Sequence, residues 1–142
     1  MEVRLVALLV AALALGGPAA TAATPPFFQT PSRNIGCIFV AGLGALDKPY
    51  LRCDIGSGLR PLPPKPKSCD LDWGYGFAMF AAGRAKSFCA GDTAKDPKAP
   101  VLDYGRTWRK GPFTCVSRSI GLRCANSSGR GFFLSRERSY TF

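Results

Sequence analysis

Aspartates, cysteines and a run of arginines carry whatever chemistry this sequence can do, and no histidine accompanies them. Without histidine the commonest general base is missing. So are Ser-His and Cys-His nucleophile pairs and every zinc site that needs an imidazole. No G-x-S-x-G and no S-x-x-K occurs, which leaves serine without its usual activating partners. Asp70, Asp72 and Asp92 are the suggestive acids. Asp70 and Asp72 stand two apart, a spacing that puts both on one side of a strand. A Cys69–Cys89 bond would bring Asp92 toward them. Three carboxylates offer oxygen ligands to Ca²⁺, and two offer the acid and base of a glycosidase. The plainer reading gives Asp70 and Asp92 turn hydrogen bonds and Asp72 an arginine partner. Neither an EF-hand spacing nor a nonapeptide calcium repeat is present. The expectation is no cofactor and no catalytic residue, with Asp70, Asp72 and Asp92 as a weak Ca²⁺ candidate.

The six cysteines point elsewhere. An even number in a small exported chain reads as a disulfide framework. Of about 15 possible pairings, local sequence favours neighbours joined in order. Cys37 and Cys53 lie in two strand-like stretches separated by a loop with Gly42, Gly44 and Pro49. Cys115 and Cys124 frame a tighter hairpin of the same kind. Facing residues of antiparallel strands meet disulfide distances at non-hydrogen-bonded positions. Cys69 and Cys89 pair by elimination. No C-x-x-C occurs, which argues against both a four-cysteine zinc site and a redox-active pair.

Charge is unevenly spread. The net charge is +10, and from Tyr104 to Phe142 eight basic residues face one acid, Glu137. The eight are Arg106, Arg109, Lys110, Arg118, Arg123, Arg130, Arg136 and Arg138. Arginine favours bidentate contact with phosphate or carboxylate. Trp108, Phe113, Phe132, Phe133 and Tyr140 are interleaved with them, and basic-aromatic surfaces bind anionic polymers such as single-stranded nucleic acid. Outside a cell, wall polymers or anionic lipid headgroups are nearer at hand. The bland alternative is a solvated sheet face with its aromatics turned into the core.

The elements that must position these residues begin after a leader. Residues 1–22 read as a signal peptide: Arg4, an apolar run from Leu5 to Leu15, then Ala20-Thr21-Ala22 for cleavage. The run is too short to span a membrane, which takes roughly 20 residues, so no membrane anchor is expected after cleavage. Residues 23–142 then form one domain of ordinary size. Glycine, proline and aromatics are abundant in it, which favours short strands and turns over long helices. Gly56 to Ser68 reads as an extended strap around Pro61-Leu62-Pro63-Pro64-Lys65-Pro66-Lys67. Gly74 and Gly76 suggest a turn, and Phe77 to Ala82 one short helical turn. Ala85–Ala90, an edge made of Val101–Gly105 and Thr107-Trp108, and the segments around Cys115, Cys124 and Phe132 read as strands, with turns at Asn126-Ser127-Ser128-Gly129. The fold class is mostly β: a small antiparallel barrel or sandwich stapled by disulfides, its middle third irregular. Leu51-Arg52-Cys53 and Leu122-Arg123-Cys124 are identical tripeptides, too short to establish a repeat.

The pattern as a whole resembles a family of small secreted actinobacterial proteins carrying a domain of unknown function. The pieces that carry the resemblance are Phe28 to Cys37, Arg52-Cys53-Asp54-Ile55, Asp72-Trp73-Gly74, Cys89 to Thr93, Tyr104-Gly105, Cys115-Val116-Ser117, Gly121 to Asn126 and Gly131 to Arg136. The resemblance implies export and a disulfide-bonded single domain, and it implies no activity. The reading that follows is a secreted, non-catalytic binding module. It would use its Arg-rich C-terminal half on an anionic envelope polymer or lipid headgroups. The alternative is an inhibitor or effector that docks a protein partner through a disulfide-braced loop such as Ala41–Pro49.

Overall fold

The computed structural model describes residues 16–42 and 47–142. Most of the expected leader and the centre of the Ala41–Pro49 loop lie outside the described residues. Ten strands run through the rest. They are β1 (Phe27–Gln29), β2 (Ile35–Val40), β3 (Tyr50–Ile55), β4 (Asp72–Phe80), β5 (Lys86–Ala90), β6 (Thr107–Lys110), β7 (Phe113–Arg118), β8 (Gly121–Ala125), β9 (Gly131–Leu134) and β10 (Ser139–Thr141). No helix occurs among the described residues. The strands form two open antiparallel sheets in chain order, β1-β2-β3-β4-β5 and β10-β9-β8-β7-β6. The sheets pack face to face as a sandwich and do not close into a barrel.

Period-2 alternation decides what enters the core. Along β7, Phe113, Cys115 and Ser117 point inward, and along β8 Leu122 and Cys124 do. Leu51, Ile55, Met79, Leu122, Leu134 and Phe132 from the two sheets are fully buried in one cluster. Each such side chain contributes about 1.5–3 kcal/mol by leaving water. At the centre two disulfides face each other. Cys37 is directly opposite Cys53 in register, and Cys115 opposite Cys124. Both bonds span Cα atoms 4.1 Å apart, the close approach of a non-hydrogen-bonded antiparallel pair. The Sγ atoms of Cys37, Cys53 and Cys124 lie within 4.8 Å of one another across the interface. The third bond, Cys69–Cys89, ties the approach to β4 onto β5.

The two sheets are copies of one plan. In each, the second and third strands carry the cystine, and the third carries Leu-Arg-Cys. Phe28 on β1 opposes Cys37 as Trp108 on β6 opposes Cys115. Phe77 on β4 opposes Cys53 as Phe132 on β9 opposes Cys124. Ser87 on β5 opposes Phe77 as Thr141 on β10 opposes Phe132. Equivalent residues also meet each other across the interface: Phe28 and Trp108 rings are 5.0 Å apart, and Phe77 and Phe132 rings 5.7 Å. That is the contact pattern of an approximate twofold axis running between the sheets. The shared Leu-Arg-Cys tripeptides are the trace in sequence of a structural repeat.

Several expectations change here. Phe27–Gln29 forms a strand of its own. Val101 makes only an isolated bridge to Gln29, while Thr107 and Trp108 do open an edge strand as expected. The middle third keeps long irregular stretches on either side of β4 and β5, but β4 itself departs from expectation. Gly74 and Gly76 lie inside β4, the longest strand, where a turn and a helical turn were expected. Gly74 takes a φ of 82° beside a break in the β4–β5 register, which is bulge geometry suited to glycine. At Gly76 a Cβ would overlap the Cys53 carbonyl oxygen, and at the equivalent Gly131 it would overlap that of Cys124. Glycine here permits close approach of two strands beside a cystine. The proline strap does cross as expected. Its Pro63 carbonyl accepts from Trp73 Nε1 at 2.9 Å, and its Arg60 carbonyl accepts from the Ser139 amide at 2.6 Å.

One end of the sandwich is closed by a buried asparagine. Asn126 Nδ2 donates to the carbonyls of Phe80 at 3.0 Å and Gly83 at 2.8 Å, while Oδ1 accepts from the amides of Ser128 and Arg130 at 3.1 Å. It therefore shapes its own turn and bolts it to the β4–β5 turn of the other sheet. It is buried, at 6% exposed, and is the turn residue expected.

Three substitutions test this. Gly131→Ala lowers stability by about 2 kcal/mol or more, since the clash is with backbone that cannot rotate away. Gly91→Ala, whose Cβ meets only ordinary contacts with Leu71 at 3.5 Å, stays near neutral. Urea unfolding midpoints compare them. By the same measurement Asn126→Ala costs about 2–4 kcal/mol, from several net hydrogen bonds at about 1 kcal/mol each and the polar groups left buried.

Candidate functional site

Alternation about the central cystine turns one arginine outward on each sheet, and the two have different fates. On the first sheet, Arg52 lies two residues from Asp54 on the same side of β3. Its Nε donates to Asp54 Oδ1 and its Nη2 to Asp54 Oδ2, both at 2.8 Å. Nη1 donates to Asp92 Oδ1, and Nη2 also to the Asp92 carbonyl, both at 2.8 Å. The guanidinium lies 4.3 Å over the Phe88 ring. Asp54 also accepts from the Ala94 amide at 2.9 Å, so the cluster holds the 92–95 loop against the sheet. Burial opposes the charged guanidinium, but the hydrogen bonds and charges of Asp54 and Asp92 outweigh it and place Arg52 above its ordinary range. The hydrogen bond from Arg52 and its charge hold the Asp92 carboxyl below the usual carboxylate range.

Beside this cluster opens a groove of about 300 Å³ lined by Arg52, Asp54, Asp72, Tyr75, Asp92 and Lys95, among others. It brings together Asp72 and Asp92 of the three expected aspartates. Asp70 is not part of it: it sits in the approach to β4, which begins at Asp72, so strand alternation does not apply to the pair. Asp92 is engaged by Arg52, and among the described residues Asp72 has no arginine within 4.0 Å, where one was expected. Among the described residues no three carboxylates come within 4.8 Å of each other; the group that does is the facing cystines, whose sulfurs are committed to each other.

On the second sheet the equivalent arginine, Arg123, has no acid. The position matching Asp54 is Ala125, and among the described residues no carboxylate lies within 4.0 Å of any of the eight basic residues of the C-terminal half. Arg123 lies 4.0 Å over the Phe142 ring, as Arg52 lies over Phe88. Arg138 lies 5.7 Å from both the Phe133 and Tyr140 rings, which stack at 5.3 Å. Thr107, Val116, Arg123, Phe133 and Tyr140 run in register as one row across the outer face. Arg109 belongs to the same face, opposite Thr114. The remaining basic residues spread to the rim. Arg118 and Arg136 line a cleft at one end, Arg130 occupies the β8–β9 turn and Arg106 precedes β6. Lys110 is used inward, its Nζ donating to the Thr24 carbonyl at 2.7 Å.

The interleaved aromatics divide by alternation. Trp108, Phe113 and Phe132 are core; Phe133 lies on the outer side of its sheet but is buried there, and Tyr140 is exposed beside it. The Arg52-Asp54-Asp92 cluster was the feature missed from sequence. The signal for it was the i, i+2 spacing of Arg52 and Asp54 on a strand; nothing local pointed to Asp92, 40 residues away. Phe142 was also missed, and its role follows only from the repeat.

A family model matches the chain over residues 7–142 and is described as a family of unknown function (DUF6636). No curated protein and no solved structure matches.

The Arg52 cluster makes a structural prediction. Arg52→Met leaves Asp54 buried without its cation and lowers stability by about 3–5 kcal/mol, read from urea unfolding. Asp92 is exposed and contributes modestly. Its folded pKa lies below the unfolded one, so its contribution is complete above the ordinary carboxylate range and disappears as pH falls through that range. The stability difference between wild type and Asp92→Asn, present at neutral pH, therefore closes in acid.

Proposed function

The chain belongs to the DUF6636 family, a family of unknown function, and from that premise we propose that it is an exported, non-catalytic module that binds an anionic polymer through the outer face of its second sheet. The observation that carries this is the contrast between equivalent arginines. Arg52 is neutralised by two aspartates, whereas Arg123 lies on the same kind of ring with its guanidinium edge free for an external anion. Arg109, Arg123 and Arg138 share that face with Phe133, Tyr140 and Phe142. A guanidinium resting against a ring is partly fixed before it binds and loses less freedom on binding. Repeated along a sheet, such units suit an extended chain of carboxylate, sulfate or phosphate groups, read by charge and by stacking.

Export is supported by the three disulfides, which are typical of oxidising compartments. It is also supported by the resemblance to secreted actinobacterial proteins and by the leader read over residues 1–22. Just past the expected cleavage point the chain is fastened down. Thr24 accepts from Lys110, Pro25 accepts from Trp108 Nε1 at 3.0 Å, and Pro26 accepts from the Phe39 amide at 2.6 Å. The face suits a polymer better than a bilayer, because Phe133 is buried and Tyr140 and Phe142 each have an arginine within about 6 Å of the ring, so no apolar wedge stands clear of charge.

The test is retention on immobilised heparin, taken as a generic anionic polysaccharide, at low and high salt. Salt-sensitive retention is expected, and Arg123→Ala with Arg138→Ala weakens it at least about tenfold, each lost charged contact being worth about 1.5 kcal/mol or more. Lys65→Ala with Lys67→Ala, an equal charge change on the strap, does not. Equal losses in both pairs, or no retention, overturn the reading. Binding to anionic vesicles without heparin retention moves the partner to lipid headgroups, and a stoichiometric protein partner surviving high salt replaces it with a docking role.

A further inference from the structure

The approximate twofold breaks at the ends of the sandwich, and the break makes a cavity. At one end Asn126 bolts the β8–β9 turn to the β4–β5 turn. The residue equivalent to Asn126, two after the β3 cysteine, is Ile55, and the residue equivalent to Phe80 is Ser135. Isoleucine cannot donate to a facing turn, so the opposite end has no such bolt. A cleft of about 380 Å³ stands there, between the β1–β2, β7–β8 and β9–β10 turns. Its lining is chemically mixed. Arg118 and Arg136 supply two guanidinium forks, neither within 4.0 Å of a carboxylate among the described residues, Glu137 in the same cleft included. Tyr104 and Ile120 are 48% and 68% exposed and offer apolar surface on the same lining.

We propose that this cleft binds a single acidic sugar, its carboxylate held by Arg118 and Arg136 and one face of its ring lying on Tyr104. The inference rests on the reading that the module recognises an anionic polymer, since a uronic acid is one monomer of such a chain. Two guanidinium groups match one carboxylate by forked hydrogen bonding. Glu137 and the Ser119 hydroxyl accept and donate to ring hydroxyls, which a bare carboxylate would not use. A volume of this size is at the lower end of small-ligand sites, room for one ring and not for a segment of polymer. The cleft lies at the rim of the arginine face, with Arg118 in register with Gly121 at the end of β7. It would therefore take a chain end or a branch.

The experiment is an NMR titration of the full mature protein with glucuronate, glucose and acetate. Glucuronate is expected to shift the Ser119–Gly121 amides and the Arg118 and Arg136 side-chain signals, with glucose and acetate each at least tenfold weaker. Arg118→Ala with Arg136→Ala loses the glucuronate response at least tenfold while the rest of the spectrum shows an intact fold. Arg118→Lys, which keeps charge but removes the fork, loses most of it as well. Arg123→Ala with Arg138→Ala leaves it unchanged. Acetate binding as well as glucuronate, or glucuronate shifts elsewhere on the molecule, overturns the proposal. Heparin retention without any glucuronate response overturns the cleft and leaves the polymer face standing. A glucuronate response without heparin retention does the reverse.

Discussion

Two disulfides meeting at the centre of the sandwich are the constraint on which the rest of the structure depends. Cystine is short, so two of them face to face draw the sheets together at the middle of the core. The larger rings, Phe28 with Trp108 and Phe77 with Phe132, fill the space on either side. A cross-strand cystine also dictates register. Each demands a directly opposed, non-hydrogen-bonded pair, and once Cys37 faces Cys53 the pairing of β2 with β3 is set. The adjacent strand must then approach closely, which is why Gly76 and Gly131 stand where any side chain would strike a cysteine carbonyl. Each bond also stabilises by about 2–4 kcal/mol through loop closure.

Because the same constraint operates twice, the chain carries two versions of one outward arginine. The first is consumed in structure: it organises Asp54, Asp92 and the loop that follows β5. The second is left with a ring beneath it and no acid beside it. The repeated unit thus gives register-equivalent arginines different surroundings, one neutralised by two aspartates and one with no acid in reach among the described residues. Divergence at the ends works in the same way. Asn126 closes one end by satisfying carbonyls of the facing turn, while at the other end Ile55 makes no such link and the sheets are joined instead by the strap, through the Arg60 carbonyl and the Ser139 amide.

Legibility in the sequence followed the range of the interaction. The β class and the hairpins around Cys115 and Cys124 are visible because alternation and turn chemistry are local. β4 was misread because Gly74 and Gly76 carry the same local signal whether they turn a chain or admit a neighbouring strand, and only the Cys53 carbonyl distinguishes the two. The aspartates were misread for a related reason. Asp70 and Asp72 have strand spacing, but the strand begins between them, and Asp92 is claimed by an arginine far away in sequence.

By itself the sequence determined the β class and the chemistry of the staples. It also determined the absence of histidine-based mechanisms and a positive charge concentrated after Tyr104. These are properties of residue type and short-range spacing, which need no partner to be read. Tertiary structure decided which arginine is neutralised and which is free, which aromatics are core and which are surface, and that three shared residues mark a repeat of five strands. Each of those depends on a residue brought in from the other sheet or from a distant loop. A charge or a ring has no role until the fold places something beside it, or leaves it with nothing.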